Sequence, residues 1–233
     1  EALNSETDLE KSGNFTLLDI AVALDWVQAN IEVFGGDKNN VTLAGFSAGG
    51  RDVMATLISP HFQGKYHKAI SFSGGMTLAD KAESQDIFAT ALAPLVVEDG
   101  LKADEAAAKE WLLTSDQEVE DYLYSLSADR LAPLMGNAGI RMSVFPHLYK
   151  DGEVIPEEGF DTKNYNDVPL LLVTGTSEFS LFTAFDKRFA ASVSDGSLFK
   201  DENLLKEFAY AETYGSQLYR LSNTVESARI MTE

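Results

Sequence analysis

The sequence contains no cysteine, which excludes disulfide staples, a thiol nucleophile and any Cys-ligated metal. That absence favours a reducing, cytoplasmic compartment and leaves secretion open. Long apolar runs are also missing: no window approaches the roughly 20 apolar residues of a membrane span. Basic residues are few, with 18 Lys and Arg against 37 Asp and Glu and a net charge of −19. A surface so acidic repels a phosphate backbone, so no nucleic-acid partner is expected, and an anionic membrane surface is disfavoured for the same reason. Histidine is scarce too, with three in the chain, which limits the candidates for a general base. No basic leader followed by an apolar core is visible, and the first residue is Glu1 and not Met. The sequence is therefore expected to be the inner part of a longer polypeptide.

What remains is enough for a sizeable core: 233 residues, 45% of them apolar, against about 150 per domain. Residues 1–14 are polar and read as a loop. From Leu17 the apolar positions Leu17, Ala21, Leu24, Val27, Ile31 and Phe34 follow steps of three and four, the period of an amphipathic helix. Thr16, with Asp19 three residues on, reads as its capping box. The glycines of "FGGDKNN" end that helix. "VTLAG", "KAISFSG" and "VPLLLVTG" read as short strands, and the third is apolar throughout, as a parallel strand covered on both faces would be. A second helix is expected from Ala48 to about Ile58, and another over the tail from about Asp201 to Met231. Strands alternating with helices predict an α/β fold with a mostly parallel sheet. Residues 79–140 differ, reading as several helices that wall a binding site, and an irregular stretch follows, "MGNAGIRMSVFPHLYKDGEVIPEEGF".

Within "VTLAGFSAGGRDV" stands Gly45-Phe46-Ser47-Ala48-Gly49, a G-x-S-x-G pentapeptide between a strand and a helix. In that setting a sharp turn exposes the Ser hydroxyl at the carboxyl end of a strand, where open α/β sheets bind ligands. The N–H of Ala48 becomes an oxyanion donor, and the helix N-terminus favours developing negative charge. The bland alternative is that Ser47 only caps the helix. A nucleophilic serine needs a base and an acid that orients it, in the chain order Ser, then Asp or Glu, then His. Glu178, three residues past the "VPLLLVTG" strand, is the candidate acid. His61, His67 and His147 all precede it. His61 and His67 read as packing or surface residues, and His147, a loop residue that could line the pocket, is in the wrong order to be the base.

Residues 13–53, "GNFTLLDIAVALDWVQANIEVFGGDKNNVTLAGFSAGGRDV", together with "HKAISFSGG", "FPHLYKDGEVIP" and "VPLLLVTGTSEFSLF", resemble the type-B carboxylesterase/lipase family of cholinesterases and para-nitrobenzyl esterases. The resemblance implies an α/β-hydrolase fold with a helical cap insertion at 79–140, here as an incomplete portion of a single domain. It implies Ser47 as nucleophile, the Ala48 N–H in the oxyanion hole and Glu178 as the acid. It implies a small-molecule ester substrate cleaved through an acyl-enzyme, and no metal or cofactor. Phe46 stands where many members carry Glu, Lys38 where Pro is usual, Phe179 where Gly follows the acid, and Arg51-Asp52 where small residues are common. Asp52 is a candidate for contact with the acid–base apparatus. The family's upstream H-G-G segment has no counterpart before residue 13, and its catalytic His would lie beyond Glu233. The missing portions of the same polypeptide are thus expected partners, and this chain alone is expected to be nearly inactive. A non-catalytic binding or adhesion protein, and an amidase or lactonase on the same scaffold, are the alternatives.

Overall fold

The structure is a computed structural model that describes residues 7–135 and 147–232. Residues 136–146, which include part of the irregular stretch and the last part of the 79–140 block, lie outside the described residues. In chain order the elements begin with α1 (Asp8–Lys11), α2 (Phe15–Asn30), β1 (Thr42–Phe46), α3 (Ala48–Ile58), β2 (Lys68–Phe72) and β3 (Ala79–Asp80). Next come α4 (Lys81–Glu98), α5 (Glu105–Leu112), α6 (Gln117–Ser125), α7 (Ala128–Leu131), β4 (Tyr149–Lys150) and β5 (Leu170–Val173). The last are α8 (Ser180–Phe185), α9 (Ala190–Ser194), α10 (Glu202–Arg220) and α11 (Ser227–Thr232). Two compact units form: residues 1–19 with 78–159, and residues 20–77 with 160–233.

The second unit carries the main sheet. Its strands run β1-β2-β5, all parallel, with Phe46 opposite Phe72 and Phe72 opposite Val173. That register brings the carboxyl ends of all three strands to one edge. The helix α3 between β1 and β2 buries Val53, Met54, Ala55, Leu57 and Ile58. Met54 is completely buried, so its truncation to Ala would cost about 2–5 kcal/mol. The expected full burial of the third strand is not what the fold shows. Leu171 in β5 is 54% exposed and Phe46 in β1 is 70% exposed. The described residues leave both of these apolar side chains more than half open. The tail helix is α10, capped by Asp201 through the N–H groups of Asn203 and Leu204. It continues through a π-helical turn at Leu221–Glu226 into α11.

The first unit is mainly helical. Asp80 caps α4 by accepting from the Glu83 N–H at 3.0 Å, and Asp104 caps α5 from the Ala107 N–H at 2.9 Å. Ala89, Ala93 and Val96 of α4 pack with Ala108, Leu112, Val119 and Tyr122 of α5 and α6 into one core. Two expectations for the N-terminal residues change. Residues 8–11 are a helical turn, with a capping box between Thr7 and Glu10. Thr16 is no cap, because α2 already begins at Phe15. Asn14 precedes it, and its amide donates to the Tyr149 carbonyl at 2.9 Å and to Asp151 at 2.7 Å while its oxygen accepts the Tyr149 N–H at 2.9 Å. A side chain thereby takes the place of a strand partner beside β4. No helix among the described residues is long and apolar enough to cross a membrane.

Candidate active site

Ser47 sits between β1 and α3 with φ 57° and ψ −112°, a sparsely populated region that costs on the order of 1–3 kcal/mol for a non-glycine residue. Its N–H extends the sheet ladder to the Phe72 carbonyl at 2.9 Å. Its carbonyl accepts the Arg51 N–H at 3.1 Å, the first turn of α3. The hydroxyl does neither: it forms no cap and no hydrogen bond with the described residues. Capping therefore does not account for a serine here.

The glycines explain how so tight a turn closes. A Cβ at Gly45 would run into the Gly49 backbone, and one at Gly50 would lie 2.7 Å from the Phe72 carbonyl oxygen. Real Cβ atoms do not tolerate either approach, so strand and helix touch backbone to backbone. A Cβ at Gly49, the last residue of the pentapeptide, meets nothing within 4 Å.

Glu178 follows β5 and lies at the same sheet edge. Its Oε1 accepts the Ser73 hydroxyl and the Gly175 N–H at 2.7 Å. Ser73 follows β2, has φ 50°, and bonds the Val173 carbonyl through its N–H at 2.7 Å. The Tyr219 hydroxyl donates to the Ser73 carbonyl at 2.9 Å. Burial holds that phenol above its ordinary pKa, and the Glu178 carboxylate adds to the effect, so Tyr219 stays a neutral donor. Glu178 Oε2 makes no hydrogen bond with the described residues. Phe46, Phe72, Ser73, Val173, Gly175, Ser177 and Glu178 line an open depression of about 360 Å³.

The other candidates fall as follows. Ala48 opens α3, so its N–H has no acceptor within the helix. Phe46 borders the depression. Asp52 lies in α3, half-buried, with its carboxyl pushed up by burial against the pull of Arg51. Arg51 itself is buried, and desolvation lowers its pKa against the influence of Tyr219 and Asp52. His147 belongs to the first unit, whereas Ser47 and Glu178 belong to the second. His67 Nδ1 accepts the Val41 N–H at 3.2 Å, at the amino edge of the sheet. The strand β1 spans five residues, which at about 3.3 Å each puts roughly 16 Å between that edge and Ser47. His61 follows the far end of α3, a comparable distance from the turn. Among the described residues no three His, Asp or Glu side chains gather as metal ligands.

Ser73 and Tyr219 were not singled out from sequence. Ser73 carried one signal, its place just beyond the strand between those that end at Ser47 and before Glu178, the edge where such sheets hold functional groups. Tyr219 carried none, since its partner is distant in the chain.

Residues 4–230 match the profile of the carboxylesterase family. The chain is 40% identical over 173 residues to the para-nitrobenzyl esterase of Bacillus subtilis (strain 168), covering 73% of this chain and 33% of that protein. It is 34% identical over 181 residues to a liver carboxylesterase of Sus scrofa, covering 75% and 31%. Among solved structures, a Geobacillus stearothermophilus carboxylesterase superposes with a TM-score of 0.60 at 22% identity, covering 92% of this chain and 45% of that one. That likeness shows the α/β-hydrolase fold. The chain spans about a third of the length of the curated relatives it matches.

Proposed function

This chain belongs to the carboxylesterase family, and we propose that it carries the nucleophile and acid of a serine carboxylic-ester hydrolase. The carrying observation is the strained turn at Ser47, whose hydroxyl is unengaged at the sheet edge that also holds Glu178. Strain without a packing or capping return is what a preorganised nucleophile requires.

Ser47 Oγ attacks the ester carbonyl carbon as its proton passes to a histidine. The oxyanion that forms accepts a hydrogen bond from the Ala48 N–H, reinforced by the positive end of α3. Collapse expels the alcohol, which takes the proton from the imidazolium and leaves an acyl-Ser47 ester. Water, deprotonated by the same histidine, then releases the carboxylic acid and restores Ser47. Because Ser73 and Gly175 occupy Glu178 Oε1, Oε2 is the oxygen open to the imidazole N–H. No metal or cofactor enters these steps.

The histidine in this account is not His61 or His67, which stand at the other edge of the sheet, nor His147, which precedes the acid in the chain. Further polypeptide, carrying the remaining two-thirds of the family domain, supplies it along with the rest of the oxyanion hole. In the same reading, Phe46 stands at the border of the substrate site. An amide or lactone would be cleaved by the same steps. A non-catalytic binding protein, by contrast, has no use for the strain at Ser47.

The test is hydrolysis of p-nitrophenyl butyrate by a chimaera in which this chain replaces the matching third of a full-length carboxylesterase. We expect turnover that falls at least about a thousandfold in Ser47→Ala. A folded chimaera whose turnover is the same with and without Ser47 would refute the proposal.

A further inference from the structure

The first unit contains a cavity of about 490 Å³, within the range of roughly 300–1,000 Å³ typical of small-molecule sites. All its lining residues belong to that unit, while Ser47 and Glu178 belong to the other.

One wall is a single face of α4. Lys81, Ser84, Gln85, Phe88, Ala89 and Leu92 all line the cavity, and their steps of three and four set them along one side of the helix. Their chemistry changes along the axis. The first turns present an ammonium, a hydroxyl and an amide; the following turns present only apolar side chains. Leu112, Leu113 and Leu123 add to the apolar part. From Lys81 to Leu92 the axis rises about 16 Å.

The polar groups at that end, the Glu10 carboxylate among them, differ in how far they are already used. Ser84 gives its hydroxyl proton to the Asp80 carbonyl. Lys11 pairs with Asp8 at 3.0 Å, and Glu10 Oε2 accepts the Thr7 N–H at 3.1 Å. Lys81 is different: its ammonium donates only to the Lys11 carbonyl, at 3.4 Å, and has no carboxylate partner among the described residues. The Gln85 amide, one turn on, makes no hydrogen bond with them. Lys81 thus stands at the mouth of an apolar cavity with no carboxylate bound to it among the described residues. It matches an anionic head group, and the positive end of α4 lies on the same side.

We propose that this cavity binds a medium-chain monocarboxylate. The carboxylate sits between Lys81 and Gln85, and the alkyl chain runs along α4 over Phe88 and Leu92 against Leu112, Leu113 and Leu123.

Calorimetric titration of the 233-residue chain with sodium decanoate, below its micellar concentration, tests this directly. One decanoate should bind per chain. Lys81→Gln should weaken decanoate at least tenfold and leave neutral decanol within twofold, while decyltrimethylammonium should bind far less tightly than decanoate. Leu113→Trp, at a half-exposed position on the rim, should fill the cavity and abolish binding of both decanoate and decanol; far-UV circular dichroism checks that both variants keep their helices. The proposal is overturned by the absence of saturation, by equal decanoate binding in either variant, or by a cationic probe that binds as well as the anionic one.

Discussion

The hydroxyl of Ser73 donates to Glu178 Oε1, the oxygen that also accepts the Gly175 N–H. Ser73 follows the middle strand and Glu178 the outer one, so the acid is fixed by a neighbouring strand as well as by its own loop. A carboxylate held at one oxygen presents the other in a set direction. Ser73→Ala removes one charge-assisted bond, and we expect about a tenfold fall in kcat for ester hydrolysis in an active chimaera, with KM little changed. Equal loss in KM would point instead to a role in binding.

The glycines of the turn should separate sharply. Gly45→Ala drives a Cβ into the Gly49 backbone, and overlap with backbone cannot be relieved by a rotamer change, so the chain should lose more than about 3 kcal/mol in urea denaturation. Gly49→Ala meets nothing within 4 Å and lies in α3, where Ala is favoured over Gly by about 0.5–1 kcal/mol. Stability should rise slightly. The last glycine of the pentapeptide is thus the one this chain can spare.

Much of this corner is legible in the sequence because its determinants are local. The run "VTLAG" predicts the strand found at Thr42–Phe46, and the helix expected over Ala48–Ile58 has those bounds. Local glycines, β-branched residues and periodicity suffice there. The N-terminal residues are not legible in the same way because two cap-like patterns compete: Thr7 with Glu10 forms the box, while Thr16 with Asp19 falls inside a helix. The choice is made at Asn14, through bonds to Tyr149 and Asp151, about 135 positions away. Ser73 and Tyr219 were hidden for the same reason, since their roles exist only once three strands and the tail helix meet. The exposure of Leu171 could not be read from "VPLLLVTG", because an apolar strand looks the same whether or not another segment covers it.

Strain at Ser47 has its own signature. At φ 57° an alanine is as strained as the serine, whereas a glycine is not. Ser47→Gly should therefore be more stable than Ser47→Ala by about 1 kcal/mol, net of the added chain entropy of glycine. Thermal unfolding of the two variants checks this, and equal stabilities would mean that the turn stores nothing.

Tyr66 predicts an alkaline limit to stability. Burial pushes its phenol up to about 12, with the hydrogen bonds to Thr56 and Asn166 opposing; the bond to Thr56 Oγ1 is 2.9 Å. A pKa raised on folding means that the native state holds the proton more tightly. The stabilisation is complete below the unfolded value near 10 and is lost as pH rises towards about 12. The loss should reach on the order of 2–3 kcal/mol in denaturant titrations. Tyr66→Phe should flatten that part of the profile while costing about 1 kcal/mol at neutral pH through the lost hydrogen bond.

As the proposed nucleophile of an acyl-transfer site completed by a histidine on further polypeptide, Ser47 should react with a phosphonylating agent. Intact-mass analysis after incubation with a fluorophosphonate, performed on the chain alone and on the chimaera, tests it most directly. One phosphonyl adduct per chimaera is expected, carried on the peptide that contains Ser47 and absent in Ser47→Ala, with labelling of the isolated chain slower by about a thousandfold or more. An adduct that persists in Ser47→Ala, or an isolated chain that labels as fast as the chimaera, would contradict it.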